Sequence, residues 1–146
     1  MVCLFVGGCV RDLISNREIL DVDFATSLTP DKIKRKLEAS NIEYDNSFEN
    51  YGSIKIRLNE KSFEVNTLRK DFDQDGRHSE VIFTQDWRQD ALRRDFTINA
   101  IYCDINGRIY DPFKGVDDLN NGIIRFIGDP VKRTVSYTHL TLPTSG

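Results

Sequence analysis

Five apolar residues, Val2 to Val6, run directly into Gly7-Gly8 and then into Val10 to Ile14, a stretch that reads as a helix. A short buried strand that must turn at a glycine pair leaves the next residues little conformational freedom. The paired glycines allow a tight turn and let a ligand approach the backbone with no Cβ in the way. A helix that starts there presents unpaired backbone N–H groups, which favour a phosphate. Arg11, one turn on, could add a bidentate fork to the same phosphate.

Asp21-Val22-Asp23 comes shortly after. In a strand, residues i and i+2 share a face, so both carboxylates converge while Val22 turns to the core. Carboxylates held that close repel unless a cation lies between them. Hard oxygen ligands with open positions suit Mg²⁺, which keeps waters and completes its shell with substrate phosphates. A strand that simply ends in acidic residues is the plainer alternative. The glycine pair and Arg11 just upstream favour the metal.

Three ordered stretches carry a family resemblance. Gly7 to Thr26 resembles the first signature of the class II tRNA nucleotidyltransferase and bacterial poly(A) polymerase family. Arg93-Arg94-Asp95-Phe96-Thr97-Ile98-Asn99-Ala100 resembles its second. Asp111-Pro112-Phe113-Lys114-Gly115 with Asp117-Asp118-Leu119 resembles a third. Thr67 to Asp71 and Asp75 to His78 look more like the CCA-adding members than the polyadenylating ones.

The resemblance implies an α+β, polymerase-β-like nucleotidyltransferase head, a mixed sheet backed by a few helices with acidic residues on one open face. It implies Asp21 and Asp23 as catalytic metal ligands and Glu64 as a third acidic residue, although Glu64 also reads as an exposed strand glutamate. It implies a nucleotide-binding set of Gly7, Gly8, Arg11, Arg94, Asp95 and Asn99, with Arg94 on the triphosphate and Asp95 on the sugar or supporting the arginine. The implied reaction is two-ion, Mg²⁺-dependent transfer from CTP or ATP to the 3′-hydroxyl of tRNA. A poly(A) polymerase head and a non-catalytic nucleotide- or Mg²⁺-binding fragment are the alternatives.

Composition fits one soluble domain of 146 residues, 39% hydrophobic and 29% charged. Neither a membrane span nor a secretory signal is legible, and a cytoplasmic protein is expected. Cys3, Cys9 and Cys103 have no metal or disulfide spacing, so buried reduced thiols are expected. The net charge of −3 predicts weak RNA affinity for this domain alone. In the resembled family the tRNA is held by later helical domains. Oligomeric state is not legible.

Residues 1–133 read as the head. From Thr134 to Gly146 there is no Asp, Glu, Lys or Arg, and Val135 to Thr144 looks like a translated cloning adapter. The expectation is a head that stops at Arg133, before the E-D-x-x-R template helix the family would place next.

Between the motifs, Thr29-Pro30 predicts a helix to Ala39, and Ile42 to Asp45 predicts a strand. Gly52 to Leu58 and Phe63 to Thr67 alternate as a hairpin joined by Asn59-Glu60-Lys61. Residues 70–80 read as a mobile polar loop over the site. Their D-x-D-x-D-G opening lacks the glutamate an EF-hand needs at its twelfth position, where Ile82 stands. Asp86 to Arg93 predicts a helix, Asn106-Gly107 a hairpin turn, Gly122 a helix C-cap and Ile123 to Ile127 a last strand.

Overall fold

Alternating apolar and polar residues build most of the sheet, and glycine, proline and aspartate set where its strands and helices stop. The computed structural model describes residues 3–19, 21–73 and 79–128. In chain order these form β1 (Cys3–Val6), α1 (Gly8–Ile14), β2 (Asp21–Thr26), α2 (Pro30–Ala39), β3 (Tyr44–Asp45), β4 (Ser53–Leu58) and β5 (Lys61–Thr67). Then come β6 (Arg69–Asp73), β7 (Ser79–Phe83), α3 (Trp87–Leu92), β8 (Tyr102–Cys103), β9 (Ile109–Tyr110) and α4 (Gly115–Asn120). Short 3-10 turns lie at Glu49–Tyr51 and Thr97–Asn99.

Seven strands make one mixed sheet in the order β3-β4-β5-β2-β1-β8-β9. Its neighbours pair antiparallel except β2 and β5, which run parallel with Asp21 opposite Ser62 and Asp23 opposite Glu64. Strand alternation then sorts the two faces. Phe5, Phe24 and Phe63 form an aromatic row on one face, with centroids 4.8 and 6.3 Å apart. There Phe5 and Val22 pack with Cys9 and Val10 of α1. The opposite face carries Val6, Ala25 and Tyr102, which cluster with Leu68, Ala91 of α3 and Ile127. Asp21, Asp23 and Glu64 lie on this second face, beyond the edge of that cluster.

The hairpin between β4 and β5 is tighter than its sequence reading. Lys61 already pairs with Leu58, so the turn is only Asn59-Glu60. Both residues have positive φ, 50° and 65°, the geometry of a type I′ turn that favours glycine at its second position. Glu60→Gly is therefore expected to raise stability by about 0.5–1 kcal/mol, read as a higher denaturation midpoint with an unchanged slope.

Two readings are corrected. Residues 70–80 are not an irregular loop throughout: β6 and β7 pair antiparallel from Arg69↔Phe83 to Asp73↔Ser79. Polar composition suggested a loop, but a two-stranded ribbon tolerates it, and Val81-Ile82-Phe83 are strong strand formers. Residues 74–78 lie outside the described residues, as does the whole 134–146 tail. Ile123 to Ile127 is not a sheet strand. It makes a single antiparallel bridge, Phe96↔Phe126, flanked by Thr97 N–H to the Arg125 carbonyl (3.0 Å) and Ile127 N–H to the Asp95 carbonyl (2.9 Å). Its partner is the segment 95–97, and that pairing seats Ile127 in the core at 2% exposure.

The third signature has a structural role. Asp111 accepts from the N–H groups of Gly115 and Val116 at 2.7 and 2.9 Å, capping α4. Asp118 accepts from the Thr97 hydroxyl at 2.7 Å and from Arg125 at 3.2 Å. A Cβ on Gly115 would stand 2.1 Å from the Thr97 carbonyl oxygen. The signature thus clamps α4 onto the backbone that carries Asp95 and Asn99. Gly115→Ala must push backbone apart, and a cost of about 3 kcal/mol is expected, visible as a lowered melting temperature.

Candidate active site

The first signature builds a cradle at the end of β1. Gly7 caps α1 with φ 78°, in the left-handed half of backbone space that a side chain resists, and its carbonyl accepts from Val10 and Arg11 N–H at 3.1 Å each. A Cβ on Gly8 would lie 3.3 Å from Arg11 Nη2, so the guanidinium uses the space that glycine leaves. Arg11 Nη1 donates to Asn99 Oδ1 at 2.9 Å, and Asn99 Nδ2 donates to Asp95 Oδ1 at 3.1 Å. Arg11 Nε also meets Asp12 at 3.3 Å. Asp95 and Asn99 therefore orient Arg11 across the cradle.

Arg94 approaches the same cradle from the end of α3. Its Nη1 lies 4.0 Å from where a Gly7 Cβ would stand. Its support comes from a residue the sequence reading missed. Asp90, only 1% exposed, accepts from Arg94 Nη2 at 3.2 Å, Arg93 Nε at 3.1 Å, the Tyr102 hydroxyl at 2.6 Å and the Arg69 N–H at 3.1 Å. Burial alone would raise the Asp90 carboxyl, but Arg94, Arg93, the Tyr102 hydroxyl and the Arg69 amide together hold it below the usual carboxylate range. Burial and then Asp90 push the Tyr102 phenol well up, so it remains a donor. The signal was present in the sequence: Asp90, Arg93 and Arg94 have the i, i+3, i+4 spacing of one helix face. Asp90 pairs with Arg94, with Arg94 Nη2 3.2 Å from Asp90 Oδ2.

Asp21 and Asp23 stand on β2 and Glu64 on β5, on one face by register. Ser53 Oγ donates to Glu64 Oε1 and fixes its orientation. Burial first, then the charges of Glu64 and Asp21, raise the Asp23 carboxyl, while Arg94 pulls it back down. The influence of Arg94 ties the acidic face to the cradle. These three side chains line a cleft of about 690 Å³ that continues across β5 to Lys55 and Arg57 on β4. Among the described residues no group of three His, Cys, Asp or Glu is drawn close enough to enclose an ion. The set is an open carboxylate face whose excess negative charge a divalent cation would relieve, a donor chemistry that suits Mg²⁺ completed by phosphate oxygens and water.

A carboxylate face on a parallel β2–β5 pair, set beside a Gly-Gly turn and two oriented arginines, defines a nucleotidyltransferase head of the polymerase-β-like kind. The chain belongs to the poly A polymerase head domain family, which matches it over residues 3–125. It is 48% identical over 123 residues to the mitochondrial CCA tRNA nucleotidyltransferase 1 of Danio rerio, covering 84% of this chain and 28% of that protein. It is 42% identical over 131 residues to the CCA-adding enzyme of Lactobacillus helveticus, covering 88% of this chain and 32% of that one. The fold is similar to that of the Bacillus stearothermophilus CCA-adding enzyme solved in complex with CTP. The TM-score is 0.77 at 35% identity, over 90% of this chain and 30% of that chain. It is similar too to a tRNA nucleotidyltransferase solved with a primer tRNA and an incoming ATP analogue, TM-score 0.70 at 27% identity, over 89% of this chain and 38% of that one. The chain thus spans about a third or less of the length of the curated relatives named here.

Among the described residues no helix is long and apolar enough to cross a membrane. Cys3, Cys9 and Cys103 are free thiols; Cys9 and Cys103 are buried, whereas Cys3, at the start of β1, is exposed rather than buried as expected.

Proposed function

We propose that this head carries out nucleotidyl transfer from CTP and ATP to the 3′-hydroxyl of a tRNA, in CCA addition or repair. The observation that carries the reading is the juxtaposition of Asp21, Asp23 and Glu64 with Arg94 at the Gly7-Gly8 turn. The names of the relatives, CCA tRNA nucleotidyltransferase and CCA-adding enzyme, support the substrate class.

Arg11, seated in the space that Gly8 leaves, and Arg94 neutralise the oxygens of a triphosphate at the turn, each held by its own carboxylate-linked support through Asn99 or Asp90. Pre-set guanidinium groups position the leaving pyrophosphate without reorganising when charge develops on it. Asp21 and Asp23 would hold Mg²⁺, with Glu64 beside them. Bound Mg²⁺ would supply charge neutralisation and an acidified acceptor hydroxyl. The free thiols fit action in a reducing compartment such as the cytoplasm.

The test is transfer of α-labelled CTP and ATP to a tRNA lacking its terminal CCA. Label is expected to enter from CTP and then ATP, only with Mg²⁺, and to vanish in the Asp21→Ala/Asp23→Ala variant. Transfer that survives this double variant would overturn the reading. ATP-only extension without a stop would reassign the head to polyadenylation. Arg94→Ala is expected to weaken CTP binding at least about tenfold, the loss of one charge-assisted contact. An unchanged dissociation constant would remove Arg94 from the site.

A further inference from the structure

The cleft does not end at the carboxylates: its far side brings in two cations, Lys55 and Arg57 on β4, beside the acidic Glu43 and Asp45. Lys55 stands opposite Glu64 across the β4–β5 pair, and Arg57 stands opposite Ser62, which in turn stands opposite Asp21. Both cations are exposed and line the same cleft as Asp21, Asp23 and Glu64. Among the described residues Arg57 makes no side-chain hydrogen bond or ion pair, while Lys55 lies 4.8 Å over the Phe48 ring and its charge, after the Ser47 hydrogen bonds, helps hold the Asp45 carboxyl below its ordinary value. Asp45, the acidic neighbour of Lys55 on β3, is engaged by the N–H and hydroxyl of Ser47 at 2.8 and 2.5 Å. Among the described residues the fold gives Arg57 no charged partner, and Lys55 only Phe48 and the already hydrogen-bonded Asp45.

The direction of the reaction gives them a use. Displacement at a phosphoryl centre is in line, with the attacking and leaving oxygens on opposite sides of the phosphorus. The leaving pyrophosphate lies toward Gly7, Gly8 and Arg94, on the β1 side of the carboxylates. The acceptor hydroxyl must therefore enter from the other side, across β5 toward β4. Strands spaced about 4.8 Å apart put the β4 row roughly 10 Å from the Asp21/Asp23 row, within reach of long cationic side chains. An RNA backbone brought toward three carboxylates also needs local positive charge, in a chain whose net charge is −3.

We propose that Lys55 and Arg57 grip the phosphodiester backbone of the acceptor RNA beside its 3′ end, opposite the triphosphate cradle. This inference rests on the nucleotidyl-transfer reading. At this site the two cations set the approach of the acceptor strand and take no part in nucleotide binding.

The experiment is anisotropy of a short, fluorescently labelled single-stranded RNA titrated with the 146-residue chain across a salt series, with Mg²⁺-CTP binding measured on the same samples. In Lys55→Gln/Arg57→Gln, RNA affinity at low salt is expected to fall about tenfold, and the log–log salt slope to shrink by about 1.4, roughly 0.7 for each lost contact. CTP affinity is expected to stay unchanged, which also reports an intact fold. The comparison pair Lys32→Gln/Lys36→Gln, on exposed positions of α2, removes the same net charge. An equal loss in that pair, an unaltered slope in the β4 pair, or no RNA binding by the parent chain would overturn the acceptor grip while CTP binding leaves the parent reading standing. Failure of the parent chain to bind Mg²⁺-CTP would overturn both.

Discussion

Asp23→Asn is expected to reduce nucleotidyl transfer about 10³-fold, the equivalent of about 4 kcal/mol of barrier, while leaving the fold as stable as before or more so. The two effects have one cause. Asp23 is partly buried beside Glu64 and Asp21, and its carboxyl is raised above the ordinary value. A carboxyl raised in the folded state binds its proton more tightly there than in the unfolded chain. Stability contributed at this position therefore falls as pH rises from the unfolded value through the folded one. At neutral pH the ionised Asp23 works against the fold, and the neutral amide removes that penalty along with the metal ligand. Single-turnover transfer and a thermal melt on the same sample check both halves. A variant that melts far below the parent would mean that Asp23 is a structural residue.

Asp90→Ala should have the largest effect on stability. It would leave Arg93, Arg94, the Tyr102 hydroxyl and the Arg69 N–H without their shared acceptor in a nearly water-free pocket. Breaking a buried pair by removing one partner costs about 3–5 kcal/mol, against a typical domain stability of about 5–15 kcal/mol. The milder Asp90→Asn keeps some acceptor capacity and separates folding from function. It is expected to weaken CTP binding because Arg94 loses its anchor, with a smaller fall in melting temperature. The sign of the pH effect comes from the lowered Asp90 carboxyl. Its stabilisation is complete above the unfolded value, near pH ~3.9, and is lost as pH falls through the lower folded value. Acid unfolding in the parent should be steeper than in Asp90→Asn. Equal acid profiles would show that the network contributes little.

Local chemistry made much of the site legible before any coordinates. The i, i+2 spacing of Asp21 and Asp23 needed only strand periodicity, and Thr29-Pro30 marked the start of α2 where it is found. Glu64 reads equally as a third acidic residue and as an exposed strand glutamate; the parallel register sets it opposite Asp23. That the partner of β2 would be β5, and parallel to it, was not legible, because sequence-distant pairing leaves no local pattern. Asp90 escaped notice because a buried carboxylate on a short helix looks like a surface ion pair until Tyr102 and Arg69 close over it from other elements. Ile123 to Ile127 has strand composition, yet the Phe96 segment takes its backbone and Ile127 enters the core. Residues 70–80 read as loop because charge was weighed above the propensity of Val81 to Phe83.

The most direct test of the central claim is calorimetric titration of CTP into the chain with Mg²⁺ and then with a chelator. Parallel titrations would use Asp21→Asn/Asp23→Asn and Arg94→Ala. Saturable binding that requires Mg²⁺ is expected, losing its metal dependence in the aspartate variant and weakening at least about tenfold in the arginine variant. CTP binding that is indifferent to Mg²⁺, to both aspartates and to Arg94 would contradict that claim, and the acidic face of the sheet would then not be the nucleotide site.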